Sequence, residues 1–157
     1  MAISVFLQDQ SNFELEDIGQ FRQLVLDALE ALGVVGEAEC YVSFIDSEAI
    51  AQLNLEYLGK SGPTDVLSFA VSFQPEFDLV VPRILGEILL CLEVAAKNAA
   101  EHRDELHDGS LRDEVALLLV HGVLHLSGMD HEVEDEALEM ESRERNLLLK
   151  YYYGVDQ

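Results

Sequence analysis

The sequence predicts an α+β fold, a small sheet of four strands with about five helices packed on it. Three observations lead there. Short β-branched and aromatic runs occupy the chain as far as Cys91, helical apolar spacing dominates from Leu92 onward, and four strands are too few to close a barrel. Ile3 to Leu7 reads as the first strand. Glu14 to Leu32 reads as an amphipathic helix, because Ile18, Phe21, Val25, Ala28 and Leu32 recur at spacings of three and four and share one face. Gly33 then ends it. Glu39 to Ile45 alternates as a half-buried strand does, and Asp46 or Ser47 caps a second helix that runs to about Leu58. The two glycines and the proline between Gly59 and Pro63 make a loop. Val66 to Phe73 is the third strand and Ile84 to Cys91 the fourth, joined by a connection that holds Pro75 and Pro82. Helices then cover Leu92 to Arg103, Leu111 to Ser127 and Glu132 to Lys150, with the polar loop DELHDG before the second of them.

A chain of 157 residues, 49% of them hydrophobic, closes one substantial core, so residues 1–157 read as one domain. The longest apolar candidate, Val115 to Leu126, is interrupted by His121 and His125, which excludes a membrane span on length. The start, MAISVFLQDQ, has no basic segment followed by an apolar stretch and a cleavage site, and this predicts a cytoplasmic protein. Cys40 and Cys91 each lie beside a strand-like run. They read as reduced core residues, with one disulfide as the alternative.

The formal charge of -22, from 31 acidic and 9 basic residues, counts against nucleic-acid binding, which ordinarily uses a basic patch. Much of the acid sits in the first forty residues and in Glu132 to Glu144. A local basic surface could therefore survive around Lys60, Arg83, Lys97 and Arg103, with the acidic clusters as solvated faces.

The informative segment is HGVLHLSGMDH, residues 121 to 131. His121 and His125 are four apart on a helix, so both imidazoles leave one face and can grip one ion. Gly128 can take the left-handed conformation that stops a helix, which lets the chain double back and present His131 as a third ligand. Three neutral imidazoles suit one zinc ion and leave a fourth position for water, the catalytic rather than the structural arrangement. The spacing matches the metzincin protease segment except that Gly122 replaces the glutamate used there as general base, which disfavours peptide hydrolysis by that route. Glu114, two helical turns before His121, is the candidate replacement, either acting on water or orienting a ligand; a salt bridge to Arg112 or Lys97 is its structural alternative. A ribose hydroxyl beside a phosphodiester is a further route, since the substrate then brings its own nucleophile.

With HGVLHLSGMDH, the segments LNLEYLGKSGPTDVLSF (residues 53 to 69) and LGEILLC (residues 85 to 91), together with Glu114 and Met140, make the chain resemble the YbeY family of bacterial endoribonucleases over roughly residues 50 to 145. The resemblance implies a zincin-like fold on a small mixed sheet, with His121, His125 and His131 as metal ligands in a cleft bordered by Thr64, Asp65 and Ser68. It also implies a metal-dependent endoribonuclease specific for single strands, acting in 16S rRNA 3′ end maturation and ribosome quality control. The implied partners are precursor rRNA, the ribosome and assembly proteins, without DNA or a membrane. Two positions depart from the family pattern. Leu58 follows Tyr57 where an arginine is common, and Glu87 follows Gly86 where an aspartate is common. The first removes a phosphate clamp, for which Lys60 in the same loop could substitute. Two other readings remain open: a ribosome-assembly binding factor with a mainly structural zinc, which the acidic surface suits, and a zinc hydrolase of another substrate.

Overall fold

The computed structural model describes residues 3–11, 13, 15–71, 83–128 and 134–155. Its sheet is built from β1 (Ile3–Asp9), β2 (Ala38–Phe44), β3 (Val66–Ala70) and β4 (Arg83–Leu90), in the order β1-β2-β4-β3. The first three strands in that order run parallel, and β3 closes one edge antiparallel to β4, so the sheet is mixed. Parallel neighbours need a crossover, and α1 (Ile18–Ala31) supplies it between β1 and β2. The remaining helices are α2 (Ser47–Leu58), α3 (Leu92–Asn98), α4 (Leu111–Leu126) and α5 (Glu134–Tyr151), with a 3-10 turn at Ala99–His102. The α+β expectation of four strands and about five helices therefore holds.

Eleven of the 16 residues of α4 are buried, including Val115, Leu119, Val123 and Leu126, and a helix apolar on most of its circumference belongs in the centre. It packs on β3 and β4, with α1, α3 and α5 around it. On the opposite side of the sheet Leu67 and Leu89, paired across β3 and β4, form a smaller cluster with Ile45, Ile50 and Cys91 under α2. Two glycines set how closely α4 approaches the sheet. A β-carbon on Gly86 would lie 2.5 Å from the Phe69 carbonyl oxygen and 2.6 Å from a Leu126 methyl. One on Gly122 would meet Ile88 at 3.0 Å and Ser68 at 3.1 Å. The Gly86 clash is with backbone, which cannot swing away, so Gly86→Ala is expected to cost about 3 kcal/mol, the upper part of the range for overpacking. A urea melt measures this, and an unchanged midpoint at unchanged slope would refute it.

Several boundaries differ from the expectations. α1 starts at Ile18 because Asp17 sits in the left-handed region (φ 59), which Asp tolerates but a helix does not. Asp46, rather than Ser47, caps α2 by accepting the Ala49 N–H at 2.8 Å. The helix expected to reach Arg103 is α-helical only to Asn98 and tightens into the 3-10 turn that carries His102. The third strand is described to Ala70, and its expected end at Phe73, the connection with Pro75 and Pro82, the Glu14 start of the first helix and the Glu132 start of the last lie outside the described residues. Arg83 does not belong to a basic surface: it is 5% exposed and donates to the Val35 carbonyl at 2.7 Å. Both cysteines are buried thiols, as expected, and burial pushes Cys40 up to about 12, which leaves it unreactive at neutral pH.

Candidate active site

α4 places His121 and His125 one turn apart, and their Nε2 atoms approach to 3.0 Å. His121 Nδ1 lies 2.8 Å from a carboxylate oxygen of Glu144 on α5. A carboxylate can only accept there, so Nδ1 carries the proton and the Nε2 lone pair of His121 faces His125. That is the tautomer a metal ligand needs, and a carboxylate behind the imidazole is the usual way of fixing it. Two nitrogens in a tetrahedral shell at about 2.0–2.1 Å from a metal stand roughly 3.3 Å apart, so the observed spacing fits a shared ion with little rearrangement. Gly128 has φ 97 and follows the last turn of α4, with its N–H on the His125 carbonyl, so the expected left-handed stop is present. His131 lies outside the described residues.

His121 and Glu144 line a cavity of about 550 Å³. Apolar side chains of Val66, Leu117, Leu118, Met140 and Leu148 line much of it, and Arg145 is the one Lys or Arg among the described lining residues. The Arg145 ion pair is loose, 3.8 Å from a Glu105 that is almost fully exposed. Of the residues expected at the cleft border, Asp65 lines this cavity; Lys60, Thr64 and Ser68 are not among its described lining. Lys60 is exposed just after α2. Thr64 donates to its neighbour Asp65, and Ser68 donates to the Gly122 carbonyl at 3.3 Å, tying β3 to α4.

Glu114 is fully buried, and neither Arg112 nor Lys97 is its partner. Arg112 instead binds the Glu16 carbonyl and Gln20 and stacks over Phe21. Glu114 is bracketed by two histidines, with His102 Nδ1 at 2.8 and 2.9 Å from its two oxygens and His107 Nε2 at 2.9 Å from one of them. The Gly109 N–H donates to His107 Nδ1, so the His107 proton is on Nε2 and points at Glu114. Both histidines line the cavity that holds His121. Reading the sequence for metal spacing passed over this trio, although the two histidines left over both fall within twelve residues before Glu114.

Next to the trio, His107, Asp108 and Asp113 have ligand atoms within 4.8 Å of one another and could hold a metal ion. Hydrogen bonds already engage these atoms. Asp113 accepts from the Asp108 N–H and from the Tyr152 and Tyr153 hydroxyls, and His107 Nδ1 accepts from Gly109. Burial, followed by the Asp113 carboxylate, pushes both tyrosines above their ordinary range, so they remain donors. The Ser110 hydroxyl and N–H hold Asp108 below the usual carboxylate range, and the His107 and Leu106 N–H groups do the same for Asp104. The group reads as a hydrogen-bonded knot that fixes the loop before α4.

Two converging imidazoles, one of them at a cavity and backed by a carboxylate, are an arrangement that a metal-assisted hydrolase can use. Residues 5–152 match the family model described as endoribonuclease YbeY. The chain is 36% identical to the endoribonuclease YbeY of Geobacillus thermodenitrificans, covering 93% of this chain and 94% of the relative. It is 37% identical to that of Oceanobacillus iheyensis over 95% and 96% of the two chains, and 39% identical to that of Beutenbergia cavernae over 88% and 91%. A solution structure from Thermotoga maritima shares the fold with TM-score 0.60 at 22% identity, covering 95% of this chain and 89% of the other. The chain belongs to the endoribonuclease YbeY family, whose members are hydrolases of RNA phosphodiester bonds. Family membership implies a metal ion. No described helix is long and apolar enough to cross a membrane.

Proposed function

We propose that His121, His125 and His131 hold one zinc ion with water in the fourth position, and that with it the chain cuts single-stranded RNA in rRNA processing, at the 3′ end of 16S precursor and in ribosome quality control. The single observation that carries the reading is the 3.0 Å approach of the His121 and His125 Nε2 atoms with Glu144 on the far side of His121. When bound, such an ion lowers the pKa of a coordinated water and stabilises charge on a phosphoryl oxygen. The chain's own groups do the rest. Glu144 keeps His121 in its ligand tautomer, and Asp65 and Arg145 border the space in which a phosphodiester is held. Gly122 supplies no base, and a β-carbon there would already crowd Ile88 at 3.0 Å and Ser68 at 3.1 Å. Residues 1–157 act as one domain in the cytoplasm, with precursor rRNA, the ribosome and assembly proteins as partners and without DNA or a membrane. Lys60, Thr64 and Ser68 serve at the border of the RNA path, with Ser68 acting through the α4 backbone.

A single-stranded RNA oligonucleotide incubated with purified protein tests this. Cleavage is expected to stop on chelation and to return with added zinc, with one ion per chain by elemental analysis. Cleavage that survives complete metal removal would overturn the reading. The net charge of -22 favours a second one, an assembly factor whose metal holds the fold. In that case chelation melts the domain and no RNA is cut at any zinc concentration.

A further inference from the structure

Two further histidines line the cavity outside the proposed set of His121, His125 and His131, namely His102 and His107, and both bond the buried Glu114 behind them. We infer that His102 is the general acid of RNA cleavage and that Glu114 is its positioning residue; this rests on the RNA-cleaving reading of the cavity. A buried carboxylate needs strong donors, and an arginine would satisfy it most firmly. Here both donors are imidazoles, and their surroundings separate their roles. His107 is 5% exposed, with both ring nitrogens committed, one to the Gly109 N–H and one to Glu114. It fixes the carboxylate. The side chain of His102 is 44% exposed and lines the cavity, with Nδ1 held by both oxygens of Glu114. Its Nε2 lies across the ring from the nitrogen that Glu114 binds, on a side chain that is 44% exposed and lines the cavity. A carboxylate on one imidazole nitrogen orients the other for proton transfer, which is the geometry expected of a catalytic imidazole.

The step balances without a redox partner. The attacking hydroxyl oxygen forms a bond to phosphorus and gives its proton to solvent. The scissile P–O bond breaks with its electron pair going to the leaving oxygen, which takes the Nε2 proton of His102. His102 then recovers a proton from solvent. The charged and titratable groups that share the cavity with it are Asp65, Asp104, His121, Glu141, Glu144, Arg145 and Tyr153. Glu114 and His107 are its direct neighbours.

The test compares zinc-loaded wild type with His102→Asn on single-stranded RNA and on the same RNA with sulfur in place of the leaving oxygen, which is located from the wild-type products. The asparagine amide takes the place of Nδ1–H against Glu114 and leaves nothing at Nε2. A sulfur leaving group departs without a proton. On all-oxygen RNA the variant is expected to lose about 100-fold to 10,000-fold in kcat, with KM, zinc content and melting temperature near wild type and one limb of the pH–rate profile gone. On the sulfur substrate it should come within about tenfold of wild type. Glu114→Gln should lose kcat in the same substrate-dependent way, with the same limb of the profile displaced. Equal slowing of His102→Asn on both substrates, or no slowing on either, overturns the assignment. A wild type that cuts neither RNA brings down the RNA-cleaving reading itself, and this assignment with it.

Discussion

Replacing His121 with alanine is expected to lower single-stranded RNA cleavage by about 10³-fold or more, because about 4 kcal/mol of transition-state stabilisation goes with the ion it is proposed to hold. The substitution removes one of two imidazoles whose nitrogens stand 3.0 Å apart and leaves Glu144 with nothing to orient. Zinc content should fall with activity. The side chain lies at the cavity wall and α4 is held by its buried face, so the melting temperature should drop by no more than a few degrees. Cleavage and metal content are measured on the same preparation. A variant that keeps both zinc and activity would remove His121 from the site; one that unfolds would make the metal structural.

Glu114→Ala is expected to be the most destabilising single change at the site, at about 3–5 kcal/mol by urea denaturation. The reason is asymmetric burial. His102 is half exposed and can turn to water when its acceptor disappears, but His107 is buried with Nδ1 already used by Gly109, so its Nε2–H is left without an acceptor. The cavity left where the fully buried side chain stood adds to the loss. A change below about 1 kcal/mol would mean that the trio contributes little to the fold, since surface substitutions sit in that range.

The paired imidazoles and the helix stop after them were legible because their information is local. His121 and His125 are four apart on a helix whose period brings them together, and Gly128 marks the stop by its missing β-carbon. The four strands and five helices were legible for the same reason, since alternation and three-to-four spacing are read from neighbours. Helix ends were less so. The left-handed Asp17 and the 3-10 turn at Ala99–His102 carry no periodic signal.

Partnerships across long stretches of chain escaped the sequence. Glu144 meets His121 from 23 residues away, and Ser68 meets the Gly122 carbonyl across 54. Arg83 could be read as a surface cation because its charge is visible in the sequence and its burial against Val35 is not. Glu114 could be matched to Arg112 by proximity, but α4 turns Arg112 outward to α1 and sends Glu114 inward to two histidines. By itself, then, the sequence determined the elements and the paired imidazoles, because each depends on spacing within a turn or two, and the likeness to a family, because its motifs are continuous segments of chain. Only the tertiary structure decided which carboxylate backs which histidine, because packing α4 between the sheet and α5 sets the distances between groups that no local period relates.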